Sequence, residues 1–89
     1  MQFEWDPDKA EGNVAKHGVD FAEASTVFAD PLELTVHDPG HSTDEFRFLS
    51  LGSSSAGRLL VVSFIERESR IRIISARPAT PRERRQYES

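Results

Sequence analysis

Residues 58–78 read RLLVVSFIERESRIRIISARP, and the fold turns on how this stretch is parsed. Leu59, Leu60, Val61, Val62, Phe64 and Ile65 are apolar at both alternating sets of positions, the pattern of a strand covered on both faces in the middle of a sheet. Glu68 and Ser69 then form a turn. From Arg70 to Ala76, Ile71 and Ile73 alternate against Arg70, Arg72 and Ile74, which predicts a following strand able to pair with the first as a hairpin.

Upstream, Leu32, Leu34 and Val36 alternate with Glu33, Thr35 and His37, a strand with one wet face, and Asp38, Pro39 and Gly40 turn the chain. Phe46 and Phe48 lead through Leu49 and Leu51 into another strand, and Gly52–Gly57 (GSSSAG) reads as a flexible connection. Before the strands come helix signals. Asp6 caps a helix that starts at Pro7 and stops at Gly18, with Lys16 and His17 in its last turn. Asp20 and Glu23 form a D-x-x-E box, with Val19 and Ala24 as a hydrophobic staple, and Phe21, Ala24, Val27 and Phe28 make one buried stripe that ends at Asp30-Pro31. Thr80, Pro81 and Glu83 repeat the start logic for a closing helix to about Glu88. The expected class is α+β: two N-terminal helices, a four-stranded antiparallel sheet, a short C-terminal helix, and Gln2–Trp5 as a candidate fifth strand at an edge.

Eighty-nine residues leave room for one domain, 1–89, and a hydrophobic fraction of 37% with six Phe, Trp5 and Tyr87 is enough to pack it. The chain has no cysteine, so disulfides, thiolate chemistry and zinc knuckles are excluded, and a reducing, cytoplasmic setting is expected. The longest apolar run, Leu59–Val62, predicts no membrane span and no signal peptide. The glycines at 52 and 57 lack the Lys-Ser/Thr pair of a phosphate loop, and no G-x-S-x-G elbow occurs. His37 and His41 are four apart, but Asp38, Pro39 and Gly40 between them forbid the helix on which that spacing would chelate. Even with Asp38 and Asp44 nearby, a solvated hairpin tip is the favoured reading. No metal site and no cofactor is expected.

The net charge of −4 conceals an asymmetry: residues 1–55 sum to −8, whereas residues 56–89 hold eight Arg and no Lys and sum to +4. Guanidinium forks match phosphate or carboxylate in two-point contact, which makes the second half a candidate anion reader. The competing reading is a solvated basic face paired with Glu66, Glu83 and Glu88. In a hairpin about Glu68 and Ser69, Arg67 and Arg77 stand at opposite ends, with Arg72 nearer Arg67. Tyr87 follows Glu83 and Arg84 by one helical turn. Its phenol could serve an acid or stacking role or act as an amphipathic lid on the core.

Two stretches carry a family resemblance. FEWDPDKAEGNVAKHGVDFAEASTVFAD (3–30) resembles the WDPxKAxxNxxKHGVxFxEAxxVF signature of BrnT-type toxins of bacterial toxin-antitoxin pairs, and GRLLVVSFIERESRIRIISARPATPRERRQY (57–87) resembles their second signature. The resemblance implies a RelE-like fold and a cytoplasmic endoribonuclease toxin that inhibits translation by cutting RNA without a metal. It also implies a BrnA-like ribbon-helix-helix antitoxin that carries the complex to operator DNA. By position it implies functional roles for Lys16, His17, Arg67, Arg72, Arg77, Glu83, Arg84 and Tyr87. RNA carries its own nucleophile, so the chemistry needs only a base, an acid and cations. On this basis Arg67 and Arg77 are expected to stabilise the phosphate, Glu66 or Glu83 to act as base, and Tyr87 as acid or stacking platform. Lys16 and His17 would reach in from the first helix, with Arg72 and Arg84 binding substrate. Ile65 departs from the family, in which Thr is common two positions before the strand-end arginine. A non-catalytic module that binds RNA or protein through its arginines is the alternative, and the acidic first half is expected to receive a basic segment of the antitoxin.

Overall fold

The computed structural model describes residues 1–38 and 46–89. Five strands, β1 (Gln2–Glu4), β2 (Leu34–Asp38), β3 (Arg47–Ser53), β4 (Leu59–Arg67) and β5 (Arg70–Pro78), form one sheet in the order β1-β5-β4-β3-β2. The doubly apolar β4 is central, as its pattern predicts. The antiparallel meander of β2 to β5 forms and the candidate fifth strand takes its place at an edge, but the four-stranded, wholly antiparallel description needs correcting, because Gln2–Glu4 pairs in parallel with β5, Gln2 opposite Arg70 and Glu4 opposite Arg72. The α+β sheet is therefore five-stranded and mixed. A three-residue strand carries too little pattern to fix its direction, which is decided by the neighbour it finds. The turn expected at 38–40 extends beyond the described residues, as do His41 and Asp44.

Helix α1 (Pro7–His17) starts on Asp6, whose carboxylate accepts the Asp8 N–H at 2.8 Å, and stops at Gly18, where φ is 69°. The second helix is shorter than its stripe suggests. α2 (Phe21–Ser25) gives way to a 3₁₀ turn, Thr26–Ala29. The hydroxyls of Ser25 and Thr26 bond back to the Ala22 and Glu23 carbonyls at 2.7 and 2.6 Å, a competition that loosens helices. Asp20 caps α2 through the Glu23 N–H at 2.7 Å. Glu23 does not complete that box, because Arg58 (Nε 2.9 Å, Nη2 2.6 Å) and the Ser54 hydroxyl (2.6 Å) take its carboxylate and hold it below the usual carboxylate range. Helix α3 (Pro81–Glu88) has the full box between Thr80 and Glu83.

The serine-rich stretch is not a flexible linker. Gly52 and Ser53 belong to β3, and a Cβ on Gly52 would lie 2.9 Å from Val27 Cγ1, so glycine admits the 3₁₀ turn against the strand. Ser54–Arg58 is a hydrogen-bonded turn, with the Ser54 N–H on the Arg58 carbonyl at 2.8 Å.

α1 and α2 cover one face of the sheet. Val19, Phe21, Ala24 and Val27 pack there on Leu60, Val62, Phe64, Ile71, Ile73 and Ala76, and Trp5 meets Phe21 edge-on at 6.0 Å. On the other face α3 covers only a corner, where Tyr87 and Ala79 pack on Leu51, Leu59 and Val61. Among the described residues no helix is long and apolar enough to cross a membrane.

Candidate active site

The half-open face acquires its arginines through a defect in β5. Ser63 pairs with Ser75 but Phe64 pairs with Ile73, so Ile74 is an extra residue, a β-bulge. Arg72 and Arg77 are five residues apart and would point to opposite faces of a regular strand. The bulge restores them to the same face, and the buried positions accordingly switch from Ile71 and Ile73 to Ala76. Strict alternation, as expected from the sequence, would have put Arg77 under the helices. The adjacent apolar pair Ile73-Ile74 is the signal that could have revealed it.

Register then draws the face. One row runs across all five strands: Asp38, Arg47, Ile65, Arg72, Glu4. Arg47 and Arg72 flank Ile65 at two strand spacings, ~10 Å. Ile65 is 6% exposed and gives the row an apolar floor between the two arginines. Arg67 lies two residues further along β4, opposite Arg70. Arg72 Nη1 bonds Glu4 at 2.8 Å and Arg70 approaches the same carboxylate at 3.6 Å. Arg77 stands opposite Val61, about four residues up the sheet from Arg72's row, ~13 Å, and ~20 Å from Arg67. Arg67 and Arg77 thus occupy opposite ends, as expected, but of one surface.

Arg77 is held by Glu83 of α3 in a two-point bridge, Nη1 to Oε1 at 2.8 Å and Nη2 to Oε2 at 2.9 Å, while Nη1 also meets the Pro78 carbonyl at 3.3 Å. Among the described residues three of the five guanidinium N–H donors are then used, and the Nε–H and outer Nη2–H remain as a second fork along one edge. Arg77 is pushed up by Glu83. Glu83 is pulled down to about 2, first by Arg77 and then by the Thr80 N–H. A carboxylate this acidic is a poor general base near neutral pH. Its geometry makes it the residue that sets the plane of Arg77.

Tyr87, one turn after Glu83, donates to Asp30 Oδ2 at 2.5 Å, and Asp30 also accepts the Ser53 and Leu32 N–H groups. These contacts lower Asp30, while the bond to Asp30 and burial push the Tyr87 phenol up. Tyr87 therefore fastens α3 to the sheet, and its proton is already committed. Glu66, opposite Ile71, stands on the other face from the arginines. Arg84 points along the outside of α3 toward Glu88 at 3.9 Å. Lys16 and His17 lie in the helix layer, at the end of α1 tied down by Asn13 to Ala76 and by Arg58 to Gly18, so they share Arg77's end of the sheet but not its face. The sequence does not single out Arg47 or Glu4, and it marks Asp38 only at the hairpin turn, since their place on the face depends on pairing across the sheet.

Glu83 supplies a test by pH. Its proton affinity is lower in the folded chain than the ordinary 4.5, so the unfolded chain binds the proton first, and stability present above about 4.5 is lost as pH falls toward about 2. Urea unfolding between those limits should show a steeper decline for the parent than for Glu83→Gln. Parallel curves would mean that the bridge does not form.

Comparison with known proteins agrees with this architecture. The family described as "Ribonuclease toxin, BrnT, of type II toxin-antitoxin system" matches residues 5–83. The crystal structure of the Brucella abortus ribonuclease toxin, BrnT, is similar at a TM-score of 0.66 and 26% identity, over 90% of this chain and 97% of that one. No curated protein matches the sequence.

Proposed function

The chain belongs to the BrnT family of ribonuclease toxins of type II toxin-antitoxin systems, and from that premise we propose that it cuts RNA on its arginine face without a metal. The RelE-like assignment of the fold goes with this reading. The 2′-hydroxyl loses its proton to solvent water as its oxygen attacks the adjacent phosphorus, the O2′–P bond forms and the P–O5′ bond breaks, and the departing O5′ is protonated from solvent, so the products are a 2′,3′-cyclic phosphate and a 5′-hydroxyl. The negative charge that builds on the phosphoryl oxygens is met by the open fork of Arg77, while Arg72, Arg67 and Arg47, ~13 to 20 Å further along the face, hold neighbouring phosphates of the strand. Glu83 and Tyr87 act as positioning residues, one through Arg77 and the other through α3. Glu4, ~13 Å along the sheet from Arg77 and bonded to Arg72, positions that arginine, and Glu66 faces the helix layer.

The observation that carries the reading is the bulge at Ile74, which gathers Arg72 and Arg77 on the uncovered face. The test is purified protein and labelled RNA in excess chelator. Shortened products ending in cyclic phosphate support the reading. One observation favours the non-catalytic alternative: Glu83 and Tyr87 are both occupied by partners within the chain. A gel shift with RNA of unchanged length would choose it.

The restraining partner is proposed to be a ribbon-helix-helix antitoxin of the BrnA kind, through which operator DNA is reached. The helix layer presents exposed Asp8, Glu11 and Asp20, which suit a basic antitoxin segment. The affinity of toxin for antitoxin should fall as salt rises from 50 to 500 mM, by about 10-fold or more. A salt-independent affinity would remove the charge argument.

A further inference from the structure

We propose that the groove between α3 and the β2–β4 corner of the open face receives one unstacked nucleobase of the RNA, beside the phosphate held by Arg77. The inference rests on the RNA-cleavage reading and adds where the base goes. The groove measures about 190 Å³, below the roughly 300 Å³ at which pockets for drug-sized ligands begin. A single ring system fits, whereas a peptide helix does not.

Its floor is aliphatic: Leu34 and Val36 from β2, Leu49 and Leu51 from β3, and Val61 from β4. Leu34 and Val36 are 43% and 57% exposed, so this floor meets water until a flat apolar group covers it. Glu83 and Gln86 of α3 form the opposite wall. Both Glu83 oxygens already accept from Arg77. The Gln86 carboxamide makes no hydrogen bond to another described residue, and it offers an acceptor oxygen and two donor hydrogens, the set that reads a base edge.

Position ties the groove to the phosphate site. Val61, in the floor, is the cross-strand partner of Arg77, and Glu83, in the wall, is its ion-pair partner. A phosphate on the free Nε/Nη2 fork and a base in the groove are therefore neighbours, as they are in a nucleotide, where one sugar joins them. The Tyr87–Asp30 bond fixes α3 over the floor, so the groove exists before RNA arrives. Single-stranded RNA is commonly read by splaying out a base in this manner.

Methyl chemical shifts of the full chain, titrated with the four ribonucleoside 3′-monophosphates and with ribose 5-phosphate, test the assignment. The methyls of Leu34, Val36, Leu49, Leu51 and Val61 should move with nucleotides and stay still with the sugar phosphate. Val36→Trp, at an exposed strand position, fills the groove and should weaken nucleotide binding ~10-fold or more. Gln86→Leu should bring the four affinities to within ~2-fold of one another while binding persists. Unmoved methyls with all four nucleotides, or equal movement with ribose 5-phosphate, would overturn the pocket. Base binding without RNA cleavage upholds the pocket and sinks the nuclease reading. Cleavage with unmoved methyls does the reverse.

Discussion

An Arg77→Ala protein is expected to fold and to bind RNA with modest loss, yet to cleave it ~10²-fold or more slowly than the parent. The asymmetry follows from where the side chain sits. Arg77 is 39% exposed at the end of β5, so solvent screening reduces what its bridge to Glu83 contributes, and the stability lost with it leaves the core and the fold in place. Its free fork, however, is presented where phosphoryl charge grows, and that interaction is strongest in the transition state. Arg77→Lys should remain strongly impaired, because a single ammonium cannot hold Glu83 and a phosphate on two separate edges. Circular dichroism establishes the fold and a single-turnover cleavage assay gives the rate. A parental rate in Arg77→Ala would remove this residue from the chemistry.

The second large effect is on stability, at the motif asparagine of the first helix. Asn13 is buried, and its side chain behaves like a short piece of strand: Nδ2 donates to the Val19 and Ala76 carbonyls at 2.9 and 2.8 Å, and Oδ1 accepts the Ala76 N–H at 3.1 Å. It therefore pins the end of α1, the Gly18 turn and β5 at one point, directly beneath Arg77. Asn13→Leu matches the volume but leaves three backbone groups without partners, at about 1 kcal/mol or more each. A loss of about 3 kcal/mol is expected, read as a fall in melting temperature of roughly 10 °C or more for a chain this size. A change under about 2 °C would mean that water replaces the amide.

Much of the fold was legible because its signals are local. The caps at Asp6, Asp20 and Thr80, the stop at Gly18 and the doubly apolar β4 each depend on residues within a few positions of one another. What escaped depends on partners far along the chain. Glu23 leaves its capping box for Arg58, thirty-five positions away, and Gln2–Glu4, a candidate edge strand, takes its parallel direction only from β5. Gly52 looked like a linker residue because the Val27 side chain that requires it belongs to another element.

The same division runs through the site. Arg67, Arg72 and Arg77 were legible as a basic hairpin, but their shared face depends on the single inserted residue, Ile74, which alternation alone does not show. Glu83 looked like a base because its spacing says nothing of the two guanidinium nitrogens that claim both its oxygens. Tyr87 found Asp30, fifty-seven positions away, and with it a fastening role. Arg47 was hidden in the acidic half, and cross-strand register alone places it opposite Ile65.

The most direct measurement uses RNA that the purified toxin cuts at a mapped position, resynthesised with one 2′-deoxynucleotide immediately 5′ to that bond, in excess chelator. With the nucleophile deleted and the arginine face untouched, the account predicts that this bond stays intact while the all-ribose strand is cut to a 2′,3′-cyclic phosphate. Cutting of both strands at the same place, or cutting that stops when chelator is added, would contradict it.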